Sequence, residues 1–514
     1  MMNSKYNLAI LLVSVLFLSA CKTTQESSSQ SKQQPPNVLF IAVDDLKDWV
    51  GVLEGHPQVQ TPNIDKFCKD GSIIFKNAVC AAPMCGPSRS ALLSGYMPTT
   101  TGIYDNGTNM LWSSMVQENA TLPEYFSKNG YHTLSTGKIF HKHYTEHGRD
   151  EGHWAIDEHQ EKIPPTKVKH KQLYSHLKNI VNGEVMGEPF QKKPAGHISW
   201  GPTKETFEET MDYVSADWAK QQLQRDFDKP FFMAVGFTRP HLPWFAPQEF
   251  YDKYDLETIQ VPPILEGDLD DIVNKKGQPI FKASDEYKWI KKNGLEKEVT
   301  RAYLANVTYV DACLGVLFDA FENSKYAENT IVVLWSDHGY HVGEKMRFKK
   351  NTFWKEVTTM PFMVRMPDTK GMTYSDRTVS LLDLSPPLIE LCGLPKKELD
   401  GHDFSPLLKN PNQKWQYPGI TSTKSGTSVI TEDWHFVQHK RGAMELYDLK
   451  NDPNEWNNLA NDAKYAEKVA ELKAWLPANP VKPLPKQGNK EKNKKNKKLM
   501  DMTIKATRDL NALK

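Results

Sequence analysis

The chain has 514 residues, 39% of them apolar and 25% charged, with a formal net charge of +1. That length exceeds one small core and fits a large domain with a smaller companion. The near-neutral balance supplies no global field for nucleic acid, so no nucleic-acid partner is expected.

At the N-terminus, Lys5 precedes an apolar run over residues 8–18. The run is too short to span a membrane as a mature helix and fits an export signal. Leu18-Ser19-Ala20-Cys21 resembles a bacterial lipobox, which would make Cys21 the lipidated first residue of the mature chain. An ordinary signal peptide cleaved nearby is the alternative. Residues 1–21 therefore read as signal peptide and lipobox, and residues 22–36, rich in Ser, Gln and Lys, as a flexible tether. By resemblance to sorted lipoproteins, Lys22 carries no inner-membrane retention signal. The expected location is outside the cytoplasm, lipid-anchored to the outer membrane.

Further along, several segments repeat one pattern: an apolar strand, then polar residues just past its C-terminal end. Residues 38–43 precede Asp44-Asp45. Residues 131–136 follow a helix that Thr121 would cap and Gly130 would end, and they precede Gly137-Lys138 and His141. Residues 231–236 precede Arg239-Pro240-His241. Residues 331–335 precede Asp337-His338. Apolar strands alternating with helical patterns predict an α/β fold, with a parallel or mixed sheet covered by helices on both faces. Ligands of such sheets bind beyond the carboxyl ends of the strands, so these four polar groups should share one rim.

From about residue 417 the pattern changes. Residues 427–431, 434–439 and 444–447 read as short strands, and 464–476 as a helix. The predicted layout is a catalytic domain over 37–416, a small α+β C-terminal subdomain over 417–480 and a Lys-rich tail over 481–514. Residues 490–498 are almost all Lys and Asn. Such a run reads as a solvated tail, or more sharply as a contact for polyanionic polysaccharide or a membrane surface. The six cysteines are Cys21, Cys68, Cys80, Cys85, Cys313 and Cys392. Their spacing does not form a disulfide framework, and no bridge is assigned.

The segment Cys85-Gly86-Pro87-Ser88-Arg89 carries the densest chemistry. Pro87 suits a first helical position, and Gly95 is a natural terminator. Cys85 would then stand at a helix N-terminus, where free N–H groups favour an anion. Arg89 lies one turn on. Asp44 and Asp45 with Asp337 offer hard oxygen ligands for a divalent cation. His338 is a softer donor, which either touches that cation or stands behind it. Lys138 and Lys350 suit a compact anion, with Lys349 as a neighbouring competitor. His241, held between prolines, is a natural proton donor near neutral pH. Arg239 and Trp244 flank it and would contact a uronate-bearing leaving group.

Taken together, these motifs resemble the type I, formylglycine-dependent sulfatases of the alkaline phosphatase superfamily, in particular the iduronate-2-sulfatase-like group. The residues that carry the resemblance are Asn37 to Leu46, Thr61-Pro62-Asn63-Ile64-Asp65, Cys85 to Arg89, Gly137 to His141, Arg239 to Pro243, Ser336 to Gly339 and Glu445 to Leu449. They occur in family order and cover roughly residues 37–476. The resemblance implies an alkaline phosphatase/sulfatase-like sheet and a Ca²⁺ site of Asp44, Asp45, Asp337 and His338, completed by Cys85. It implies oxidation of Cys85 to formylglycine by a maturation enzyme. Arg89 and His141 would support that residue, Lys138 and Lys350 would bind sulfate, and His241 would be the acid. Ser94-Gly95-Tyr96 stands where many members have Thr-Gly-Arg, which should tune maturation more than chemistry. The expected function is hydrolysis of sulfate monoesters on a sulfated polysaccharide or oligosaccharide, with a uronate-containing substrate such as ulvan or glycosaminoglycan among the candidates. The alternatives are a phosphonate or phosphodiester hydrolase of the same superfamily and a non-catalytic glycan-binding lipoprotein.

Overall fold

A computed structural model describes residues 34–141, 156–160, 180–182, 184–185 and 198–486. The signal peptide, Cys21, most of the tether and the Lys-rich run at 490–498 lie outside the described residues. The described residues from Pro35 onward form one compact unit.

Its centre is the strand Asn37–Val43, every residue of which is buried. Alternate side chains go to opposite faces of a strand. Leu39, Ile41 and Val43 enter one apolar core, and Val38, Phe40 and Ala42 enter another. An unbroken apolar run is therefore what this position requires, because both faces of the sheet are covered. The first core holds the helices Pro62–Gly71, Met211–Leu223 and Glu296–Glu322, and the second holds Leu122–Lys128 and Ser385–Leu391. The helix Glu296–Glu322 is long and apolar enough to cross a membrane, but 78% of its apolar window is buried, as befits a core helix.

Among the described residues, eight strands make the main sheet, in the order Thr373–Ser380, Ile73–Val79, Phe362–Arg365, Thr330–Ser336, Asn37–Val43, Phe231–Phe237, His132–Gly137, Glu158–His159. Only Phe362–Arg365 runs against its neighbours. The registers align the strand ends that matter. Val43 pairs with Ser336 on one side and with Phe237 on the other, and Gly137 pairs with Gly236. The carboxyl ends of all four motif-bearing strands thus lie side by side, as the sequence pattern requires.

Two glycines permit that rim. Gly137 has φ +67°, and a Cβ there would lie 1.8 Å from the Gly236 carbonyl oxygen. A Cβ on Gly236 would in turn meet the Lys138 backbone at 2.3 Å. The two strand ends approach closely only because neither carries a side chain.

The C-terminal region forms a four-stranded antiparallel sheet of Gly419–Thr423, Gly426–Ile430, Trp434–His439 and Met444–Asp448, followed by the helix Ala466–Lys473. The first of these strands is additional to the three expected. It anchors the loop before Cys85: Ser422 N–H donates to the Ala81 carbonyl at 2.9 Å, and the Thr421 hydroxyl to the Cys80 carbonyl at 2.6 Å.

Candidate active site

The helix Cys85–Ser94 is buried along its whole length and closes on Gly95 in the left-handed conformation, φ 80°. Cys85 is its first residue. Pro87 is its third rather than its first, still within the turn whose N–H groups have no intrahelical acceptor. The first helical bond runs from Ser88 N–H to the Met84 carbonyl, 3.0 Å. Gly86 N–H donates to Asn106 Oδ1 at 2.8 Å.

Arg89 lies one turn into this helix and is 1% exposed. Its Nε donates to Asp337 Oδ2 at 2.8 Å and its Nη2 to Asp44 Oδ1 at 3.1 Å. Nη1 donates to the carbonyls of Lys138 and Ile139. One guanidinium thereby ties together three strand ends. A buried pair of this kind is costly to break, about 3–5 kcal/mol when one partner is removed. Asp45 sits in the left-handed region, φ 61°. Its N–H donates to Asp337 Oδ1 at 3.1 Å, and its carbonyl accepts from the Tyr303 hydroxyl at 2.8 Å.

Around Cys85 the remaining groups close in. Lys350 Nζ lies 2.9 Å from Cys85 Sγ and also pairs with Asp45 Oδ1. His338 Nε2 lies 3.4 Å from Cys85 Sγ and 3.4 Å from Asp45 Oδ1. Its Nδ1 donates to the Gly339 carbonyl at 2.8 Å, which turns Nε2 toward Cys85 and Asp45. Lys138 Nζ pairs with Asp44 Oδ2. His141 contributes a side-chain hydrogen bond to Cys85. His241 Nε2 stands 3.8 Å from Asp45 Oδ2, with Nδ1 at 2.6 Å from the Leu242 carbonyl.

The electrostatics follow from three buried carboxylates facing three cations, Arg89, Lys138 and Lys350. Burial pushes the Asp44 carboxyl up, but Lys138, His241 and Arg89 outweigh it and hold the group well below the usual range. Burial likewise raises the Cys85 thiol, and Lys138, Lys350 and His338 drive it well below its ordinary value. Asp337 behaves oppositely: burial wins over Arg89 and pushes it up to about 7.

Among the described residues, two groupings have metal-ligating atoms within 4.8 Å of one another: Asp44, Asp45, Cys85 and His241, and Cys85, Asp337 and His338. The structure therefore brings together Asp44, Asp45, Cys85, Arg89, Lys138, His141, His241, Asp337, His338 and Lys350. Lys349, the competitor, pairs with Glu286 at 2.7 Å instead.

Arg239 and Trp244 require correction. Trp244 is fully buried, its indole N–H donating to the Pro240 carbonyl at 2.6 Å and its ring set edge-on to Tyr303 and Tyr340. It belongs to the core and offers no face to a sugar. The Arg239 guanidinium donates to the Phe245 and His241 carbonyls, each at 3.0 Å, so it braces its own loop. Two supporting residues escaped sequence reasoning. Asn106 caps Gly86 beside Cys85. Asp212, 4% exposed, accepts from Thr238 N–H at 2.8 Å and Arg239 N–H at 2.9 Å, and so holds the loop that carries His241. A lone acid in a helix and an Asn in a turn have no spacing that would mark them. Among the described residues every cysteine is a buried free thiol.

A family model described as Sulfatase matches residues 36–394, and one described as N-sulphoglucosamine sulphohydrolase, C-terminal, matches residues 343–481. The chain is 36% identical over 481 residues to a protein named Sulfatase from Formosa agariphila, covering 91% of each. It is 30% identical over 372 residues to iduronate 2-sulfatase of Mus musculus, covering 68% of this chain and 63% of that enzyme. It is 25% identical to an ulvan-active sulfatase of Formosa agariphila, covering 90% of this chain and 86% of the relative. A solved 2-O GAG sulfatase shares the fold, with a TM-score of 0.63 at 22% identity over 86% of this chain and 91% of that one. A rim of strand-end acids and cations around a helix-borne cysteine, matched over most of its length, places this chain in the sulfatase family, as a sulfuric ester hydrolase of alkaline phosphatase-like fold.

Proposed function

We propose that Cys85 is matured to formylglycine, that the adjoining carboxylates hold Ca²⁺, and that the enzyme removes sulfate from a sulfated polysaccharide or oligosaccharide. The observation that carries this reading is the convergence of Lys350, His338 and Asp45 on Cys85 Sγ at 2.9, 3.4 and 3.6 Å, at a helix N-terminus. The sulfur there stands in for the oxygens of the modified residue.

The donor set fits calcium. Asp44, Asp45 and Asp337 supply hard oxygens, and His338 Nε2 is oriented toward the same space. When present, formylglycine supplies a hydroxyl nucleophile in hydrated form, and calcium supplies charge stabilisation to the sulfuryl oxygens. The chain's own residues do the rest. Lys138 and Lys350 bind the anion and take up its charge. Arg89 fixes the carboxylates of Asp44 and Asp337. His141, bonded to residue 85, is placed to take a proton from that side chain. His241, anchored through Nδ1, presents Nε2 to protonate the leaving sugar oxygen.

The saccharide reading is supported by the names of relatives, iduronate 2-sulfatase and ulvan-active sulfatase. A uronate in the substrate now rests on those names, because Arg239 and Trp244 are engaged elsewhere. The formylglycine-generating enzyme is the implied maturation partner. The lipobox-like Leu18 to Cys21 supports export and lipid anchoring to the outer membrane. A panel of defined sulfated oligosaccharides, with matching phosphonate esters as controls, tests the reaction. Turnover of a sulfated saccharide that Cys85→Ala abolishes is the expected result, and preference for phosphonate would contradict it. Palmitate labelling lost in Cys21→Ala tests the anchor.

A further inference from the structure

The motif Glu445-Leu446-Tyr447-Asp448-Leu449 has no part in the chemistry above, yet Glu445 is buried. The strand register explains which way it faces. Glu445 pairs with Val437, and Tyr447 with His435, across the last two strands of the C-terminal sheet. Directly opposed and alternate residues share a face, so Glu445, Tyr447, His435 and His439 stand on one side. Phe436 and Leu446 stand on the other and pack with Leu472 of the helix Ala466–Lys473. The apolar face is thus covered within the C-terminal region, and the polar face is turned toward the segment that carries Lys350.

There it meets two consecutive residues. The Trp354 indole N–H donates to Glu445 Oε2 at 2.9 Å, and the Lys355 backbone N–H donates to Glu455 Oε2 at 2.9 Å. Each carboxylate is backed by a buried histidine: His439 pairs with Glu445, and His435 with Glu455. The Tyr447 hydroxyl also donates to Glu445, at 2.6 Å, and Lys345 Nζ donates to the Glu455 carbonyl. Apolar side chains would bury such a contact at less cost, because these charges must be desolvated. What the carboxylates add is direction, since a satisfied buried network specifies one arrangement.

Trp354 lies four residues after Lys350, and the chain between them is in neither helix nor strand. Lys349 and Asn351, on either side of Lys350, both have φ 72°, a left-handed conformation that residues other than glycine keep only under constraint. Asn351 N–H donates to the Pro83 carbonyl at 3.0 Å, and Thr352 Oγ1 lies 2.8 Å from His341 Nε2. Trp354 and Lys355 supply the constraint at the far end. We infer that Glu445 is a positioning residue for Lys350: with Glu455 it clamps the end of this segment, and so fixes where the ammonium group stands beside residue 85. Glu445 itself touches no reacting atom. The inference rests on the reading of Lys350 as a sulfate-binding lysine.

The test is a double-mutant cycle, read on nitrophenyl sulfate and on a sulfated oligosaccharide. Glu445→Ala should lower kcat/KM about tenfold on both esters, because a small misplacement of a binding charge is costly. Trp354→Phe removes the donor but leaves Glu445 with Tyr447 and His439. It should therefore melt like wild type and show the same kinetic loss. Glu445→Gln keeps an acceptor for the indole and should restore most of the activity. In a Lys350→Ala background, neither Glu445→Ala nor Trp354→Phe should cost more than about twofold further. A full tenfold further loss in that background would overturn the inference, and so would wild-type kinetics in the single variants. Should Glu445→Ala fail to fold, the Trp354→Phe cycle decides alone. Wild-type turnover by Lys350→Ala would instead refute the sulfate-binding reading of Lys350.

Discussion

Replacing Lys350 with Ala isolates one term of the anion site. Its Nζ stands 2.9 Å from Cys85 Sγ, so a sulfuryl group attacked from residue 85 comes within about 4 Å of it. A unit charge pair at that distance is worth about 4 kcal/mol at an effective dielectric of 20. The side chain is 16% exposed, so solvent trims this, and about 2–4 kcal/mol is a realistic range. That corresponds to a loss of about 30- to 1,000-fold in kcat/KM. The loss should be the same for nitrophenyl sulfate and for a sulfated oligosaccharide, because Lys350 serves the sulfuryl group common to both. Steady-state kinetics on the two substrates is the assay, with thermal melting to confirm folding. A loss below about threefold, or one confined to a single substrate, would refute the reasoning.

His241→Ala should show the complementary pattern, losing about 10²–10⁴-fold on sugar sulfates and far less on aryl sulfates, whose phenolate leaves without full protonation. Asp212→Ala should reproduce that selectivity in weaker form, since Asp212 positions the same loop; an equal loss on both esters would make its role merely structural. Asp337→Ala should lose bound calcium and activity together, and stoichiometric metal by elemental analysis would remove Asp337 from the site. Asp311 caps the helix Pro62–Gly71 through Asn63 and Ile64, and burial pushes its carboxyl from 3.8 up to about 7. Between those values the folded state holds a proton that the unfolded state has released, so its contribution to stability falls as pH rises from 4 to 7. Urea melts of Asp311→Asn should be flatter across that window than wild type, and identical slopes would contradict the assignment.

The rim was legible in the sequence because its strands are buried on both faces and their ends are marked by abrupt polarity. Asp44, Lys138, His241 and Asp337 all follow such ends, and parallel pairing brings them together without further information. Between the neighbours Lys350 and Lys349 the structure gives the physical reason for the choice: Lys349 turns to Glu286. Other features depended on long-range partners. Trp244 read as a sugar platform because it neighbours His241, yet Tyr303 and Tyr340, distant in sequence, enclose it. Arg239 read as a carboxylate clamp, yet its donors meet carbonyls of its own loop. Pro87 stands two positions further into the helix than the first-position expectation, because the helix begins where Met84 leaves its extended conformation rather than at the proline. The strand Gly419–Thr423 lacks a strong apolar alternation and gains its order by bonding beside Cys80 and Ala81.

The central claim is that residue 85 acts as an aldehyde hydrate rather than as a thiol. Mass spectrometry of the peptide spanning Cys85, taken from active enzyme made in its native host, tests this most directly. The account predicts the formylglycine mass at that position, in proportion to specific activity. Full activity in protein whose Cys85 is wholly unmodified would contradict it.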